Sequence, residues 1–207
     1  MEPTTVLTNV LVAGVAFVLG VRLAYPAAGD GVASAVFLSL GFFATAIGAA
    51  FGAAAHGLDP RTDALQRDRC WHAALFATGF IGAACIASVA FFTVRGSVRT
   101  GILVVAGLKL VAYFVRVARR PEFRVAIMDY GGGLAVLFAA SVYAYVRWRA
   151  PAAPWLIGGA LVSFAAGTLQ ARRVVLHRHF NHNDLYHAIE VVTLYLLYRG
   201  GALLADR

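Results

Sequence analysis

The stretch GVASAVFLSLGFFATAIGAAFGAAAHGL, residues 31–58, contains no acidic residue, Lys or Arg. An uncharged apolar run of 18 residues or more is transmembrane length. Similar blocks recur on either side of it. The sequence predicts spans at about 5–24, 33–56, 71–94, 100–118, 124–146, 152–171 and 183–204. Seven spans of about 21 residues take up about 147 of the 207 positions, which leaves no room for a separate soluble domain. Composition agrees. Apolar residues make up 60%, charged residues 14%, and the mean hydropathy is +0.74. Soluble domains run nearer about 45–50% apolar and about 25% charged. Barrel-type alternation is absent, and hydrocarbon demands internally satisfied backbone groups. The expected fold is therefore all-α, a polytopic membrane protein with residues 1–207 forming one seven-helix transmembrane bundle.

The formal net charge is +8, carried by 17 Arg and one Lys. These Arg residues cluster between apolar blocks, where they flank spans and set topology. No continuous basic surface remains for nucleic acid. An odd number of spans separates the two ends of the bundle. Ten Arg fall on the side of the N-terminus, side A, and seven on side B. The positive-inside rule then makes side A cytoplasmic. Arg-rich, Lys-poor, Ala-rich usage suggests a GC-rich bacterial genome, hence a bacterial cytoplasmic membrane. Met1-Glu2-Pro3 lacks a basic leader, so the first block is expected to be a retained span. Cys70 and Cys85 form no framework, and Cys85 reads as core packing.

Ionisable residues near spans are expensive and by default mark function. His56 closes span two. Asp68 and His72 open span three, four residues apart and so on one helical face. Asp129 lies just inside span five. His182, Asp184 and His187 open span seven, with Glu190 one turn deeper. Parity places all of them on side A. Imidazole with carboxylate suits Zn²⁺, and three protein ligands plus an open position make a catalytic site. The competing reading is a set of interfacial polar groups that snorkel to water or cap helices. His177 and His179, beside Arg178, read as loop polarity of that kind. His182 and His187 are about 140° apart around a helix, so they share a metal only if the helix start is irregular. Asp184 is the substitute ligand, or else a charge favoured by the helix N-terminus. Lys109 and Glu190 lie at similar depth and are expected to pair, while Asp129 is a candidate to orient a ligand His.

Three motifs carry a resemblance. Gly52-Ala-Ala-Ala-His56 is a small-residue stretch ending in His, Asp68 follows twelve residues later, and Asn183-Asp-Leu-Tyr-His187 opens the last span. Together they resemble the CREST superfamily of seven-helix membrane proteins, which includes alkaline ceramidases and the progestin and adipoQ receptors. Two positions depart from the pattern. Gly52 stands where the family has Ser, and Asn183 where it has the first His of HxxxH, with His182 one position earlier. The run from His182 to His187, with Tyr198-Arg-Gly-Gly201, also resembles an uncharacterised group of bacterial membrane proteins. The resemblance implies a zinc-dependent hydrolase of membrane lipid amides or esters. His56 and His187 would be zinc ligands, His182 or Asp184 the third, and Asp68 the catalytic base that holds the metal-bound water. Apart from the resemblance, the placement of Asn183, Asp129 and Glu190 makes them candidates to support such a site. The alternative is a non-enzymatic transporter or binding protein that uses the His/Asp cluster for protons or metal ions. Haem ligation would need His residues facing each other well inside the bilayer.

Overall fold

A computed structural model describes residues 2–177 and 180–207, so Arg178 and His179 lie outside the described residues. Seven helices follow in order: α1 (Pro3–Asp30), α2 (Ala33–Gly57), α3 (Ala64–Thr93), α4 (Gly96–Arg119), α5 (Phe123–Trp148), α6 (Ala153–Ala171) and α7 (His182–Gly201). The first five are long and apolar enough to cross a membrane. α6 and α7 have 19 and 20 residues, about 28 and 30 Å at helical rise, which matches the hydrocarbon thickness. The chain is thus an all-helical bundle of integral-membrane character. Helix α3 begins seven residues before its expected span, because its first two turns, with Arg67, Asp68 and Arg69 exposed, continue the helix beyond the apolar stretch.

Six helices close a ring. α1 packs on α2, α2 on α3, α3 on α5, α5 on α6, α6 on α7, and α7 returns to α1. α4 stands outside it, held mainly by α3. Its face bearing Val104, Val105, Leu108 and Val111 is exposed to the surroundings, which in a bilayer is acyl chain. The side-B half of the ring is filled by a continuous apolar core. Leu23, Leu38, Leu134, Leu137, Leu156 and Leu197 are all buried there. Cys85 belongs to this core, in keeping with its expected packing role.

Small residues set the helix spacing. A Cβ on Gly159 or Gly200 would meet Leu197 or Leu156 at 2.7 and 2.6 Å, so α6 and α7 interdigitate leucine into glycine. α3 and α5 come closer still: a Cβ on Gly133 would fall 2.5 Å from the Cα of Gly82. With little hydrophobic drive between helices in lipid, such close packing is what holds a bundle together.

Side B is tied by polar contacts from residues after α7. Both carboxyl oxygens of Asp206 accept backbone N–H groups at the start of α2, from Ala33 at 2.7 Å and Ser34 at 2.9 Å. Val32, at the N-cap position, has no side chain able to do this. Arg207 stacks over Trp148, 3.6 Å from the ring centre, and its N–H donates to the Phe91 carbonyl. Replacing Asp206 with Ala removes the cap. A cap is worth about 1 kcal/mol, or about 2–4 °C of thermal midpoint at this chain size. Thermal unfolding in detergent measures it, and an unchanged midpoint would refute the capping role.

Candidate functional site

Above the core, on side A, the ring encloses a cavity of about 720 Å³. That lies within the range of about 300–1,000 Å³ typical of small-molecule sites. Every ring helix contributes to its walls. α1 gives Asn9 and Val12, α2 gives Gly52 and His56, and α3 gives Trp71 and Thr78. α5 gives Tyr130, α6 gives Ser163 and Gln170, and α7 gives Asn183, Tyr186, His187 and Glu190. Parity alone had put the polar groups on one face, and the structure brings the ends of α1, α2 and α7 into contact there.

His56 and His187 both line the cavity, and each has its Nδ1 engaged by the protein. His56 Nδ1 lies 3.1 Å from Glu2 Oε2, and the Glu2 N–H donates to the His56 carbonyl at 3.2 Å. This joins the start of α1 to the end of α2. His187 Nδ1 is 3.0 Å from Thr8 Oγ1. The Thr8 hydroxyl has one proton and two acceptors in reach, the Thr5 carbonyl at 3.2 Å and Asp184 Oδ1 at 3.3 Å. The direction of the Thr8–His187 contact follows the imidazole tautomer: with the ring proton on Nδ1, the imidazole donates to Thr8, the hydroxyl donates to Thr5 or Asp184, and Nε2 keeps a lone pair. A carboxyl or hydroxyl behind an imidazole fixes its tautomer and orientation in this way.

Asp184 sits 1% exposed with both oxygens engaged. Oδ2 accepts the Asn181 N–H at 2.9 Å, and Asn181 Oδ1 accepts the N–H groups of Asn183 and Asp184. This is a capping box, which satisfies two orphan donors at the helix start. The geometry thus favours the helix-terminal role over the ligand role for Asp184. His182 is the first residue of α7 and does not line the cavity. Asp68 is exposed on the extended start of α3, away from the cavity walls, and its carbonyl accepts from His72 Nδ1 at 2.7 Å. Among the described residues, no three His, Cys, Asp or Glu side chains stand close enough to hold a metal ion. The cavity supplies two imidazoles, one short of the three protein ligands of catalytic zinc, so the donor set does not fit a complete zinc site.

The expected pairing of Lys109 with Glu190 is not what the structure shows. Lys109 Nζ lies 2.7 Å from Asp129 Oδ2. α4 is outside the ring, against α3, and from there Lys109 reaches the near face of α5 rather than α7. The same contact engages Asp129 Oδ2, while the Nδ1 atoms of His56 and His187 meet Glu2 and Thr8 instead of Asp129. Glu190 is left in the cavity wall, 6% exposed, with Tyr130 Oη at 3.4 Å from Oε1. Asn183 faces the cavity too, its Oδ1 accepting from Gln170 Nε2 at 3.2 Å.

Sequence reading missed Thr8, Asn9 and Tyr130. The signal for the first two was present: Thr5, Thr8 and Asn9 are the polar residues on one face of an otherwise apolar first span. Thr5 is fully buried and its Oγ1 accepts from Asn181 Nδ2 at 3.2 Å, so this face docks α1 on the start of α7. No curated protein and no solved structure matches the chain. A family model matches residues 4–206, the whole of the bundle just described, and the chain belongs to that family, DUF6962, a family of unknown function.

Proposed function

We propose that this chain is a membrane-embedded hydrolase of lipid amides or esters, centred on His187 and working on the cytoplasmic side of a bacterial membrane. One observation carries the reading. His187 Nδ1 rests on Thr8 Oγ1, which leaves Nε2 as the ring nitrogen for a polar cavity whose α5 and α6 walls include exposed residues. A neutral imidazole with fixed tautomer, backed by an acceptor, is the general-base arrangement. In the proposed reaction, Nε2 takes a proton from water as the water oxygen attacks the carbonyl carbon. The C–N or C–O bond then breaks and the proton passes to the leaving amine or alkoxide. Asn183 has its Oδ1 occupied, so its Nδ2 is the donor available to the carbonyl oxygen. The packed core beneath the cavity separates it from side B, which supports a pocket over a transport path.

The zinc expected from the sequence would need a third protein ligand besides His56 and His187, and the reaction proposed here runs without it. The resemblance to the CREST superfamily supports the hydrolase class, and the ten Arg of side A support the orientation.

The test is turnover of fluorescent lipid amides and esters by purified protein, alongside elemental analysis. His187→Ala should lower turnover by about a hundredfold or more. Thr8→Val, which removes only the tautomer-setting hydroxyl, should cost less. About one zinc per chain, lost in His56→Ala and His187→Ala, would occupy the lone pair a general base needs and overturn that role for His187. Turnover without zinc would leave His187 as a metal-free base. Full activity in His187→Ala would end the proposal.

A further inference from the structure

Among the described residues lining the cavity, Glu190 is the sole acid. It is 6% exposed, and its Oε2 has no hydrogen-bond partner. Oε1 receives only the long contact from Tyr130 Oη, whose closer partner is Ser163 Oγ at 2.8 Å. The ion pairs among the described residues are His56 with Glu2 and Lys109 with Asp129, so the chain's only lysine is spent elsewhere. A carboxylate buried at membrane depth without a counter-ion is expensive, and such groups are kept where something passing through the site pairs with them.

The surroundings indicate what that is. Tyr130 and Tyr186 line the cavity beside Glu190, and aromatic side chains near a carboxylate favour organic ammonium groups. Apolar groups, including Val12, Ile81 and Leu134, line much of the rest, and the cavity's one Arg or Lys, Arg172, is exposed and forms no ion pair with Glu190. The cavity also has a lateral mouth. Phe123 and Ile127 of α5 and Phe164 and Thr168 of α6 line it and are at the same time exposed. Between them Gly131 and Gly167 have no atom within 4 Å of where a Cβ would stand.

We propose that Glu190 is the counter-ion for the protonated amine of a membrane amphiphile, whose hydrocarbon leaves the cavity between α5 and α6. The proposal uses the cavity assigned above to lipid hydrolysis and names the head group it selects. The amine supplies the missing cation and donates to Oε2. An alcohol of the same chain length supplies a hydrogen bond but no charge.

The experiment compares equilibrium binding of dodecylamine and dodecanol to the full chain in nanodiscs of neutral lipid. Dodecylamine should bind about 10- to 100-fold more tightly, as a charge-assisted hydrogen bond implies. Glu190→Gln should bring the two ligands to equal affinity. His187→Ala should keep the preference while losing turnover. Equal binding by the wild type, or a preference that survives in Glu190→Gln, overturns the proposal, and the wild-type comparison decides even if the variant fails to fold. An amine preference in a protein without turnover sustains this proposal and removes the hydrolase reading; turnover without the preference does the reverse.

Discussion

Gly133→Leu is expected to leave no correctly folded protein. The position is where α5 meets α3 backbone to backbone. A Cβ there would stand 2.5 Å from Gly82 Cα and 2.7 Å from the Gly82 carbonyl oxygen. No side chain can rotate aside, because the obstacle is main chain. α5 must move outward as a unit, and doing so opens the contact beside the Lys109–Asp129 pair. Overpacking costs typically about 1–3 kcal/mol where side chains can give. Here it should exceed that range. Gly131→Ala on the same helix, with nothing within 4 Å, is the control and should be nearly neutral. Monodispersity and thermal midpoint in detergent separate the two. Equal behaviour of the variants would show that α3 and α5 do not touch as described.

The second large effect comes from Lys109. Its ammonium meets Asp129 at 2.7 Å, with the side chains 27% and 8% exposed. Gly82 gives the pair its space: a Cβ there would fall 2.9 Å from both Nζ and Oδ2. Lys109→Met leaves the Asp129 carboxyl without its partner in apolar surroundings. Removing one member of a buried pair typically costs about 3–5 kcal/mol, whereas replacing both with apolar residues is often neutral. Lys109→Met should therefore lower the unfolding midpoint strongly. Lys109→Met with Asp129→Leu should recover most of the loss. If the double variant is as unstable as the single one, the cost is packing of α4 and the pair is incidental.

The sequence carried the helices and their order along the chain, because uncharged runs between Arg clusters leave few alternatives. His56 and His187 were legible too, each polar at the end of an apolar span with parity placing both on one face. Lateral order was not legible. Lys109 and Glu190 share a depth, but depth fixes one coordinate only. That α4 stands outside the ring depends on which helices offer glycine at matching heights, as Gly82 and Gly133 do. Asp184 shows a different difficulty. A carboxylate three residues from His187 has the spacing of a co-ligand and equally that of a capping box. The choice is made by Asn181 one position before the helix, a residue the ligand reading left unused. Thr8 was invisible as a site residue because its role depends on α1 lying against α7, at the opposite end of the chain.

That last contact bears on how the protein is made. Thr8 is in α1 and His187 in α7, so the Thr8 hydroxyl meets its partner only after six further helices have been made. A nascent chain arrested anywhere before α7 contains apolar helices and a ring still open between α6 and α1. The cavity is thus completed only when α7 docks between α6 and α1 and closes the ring.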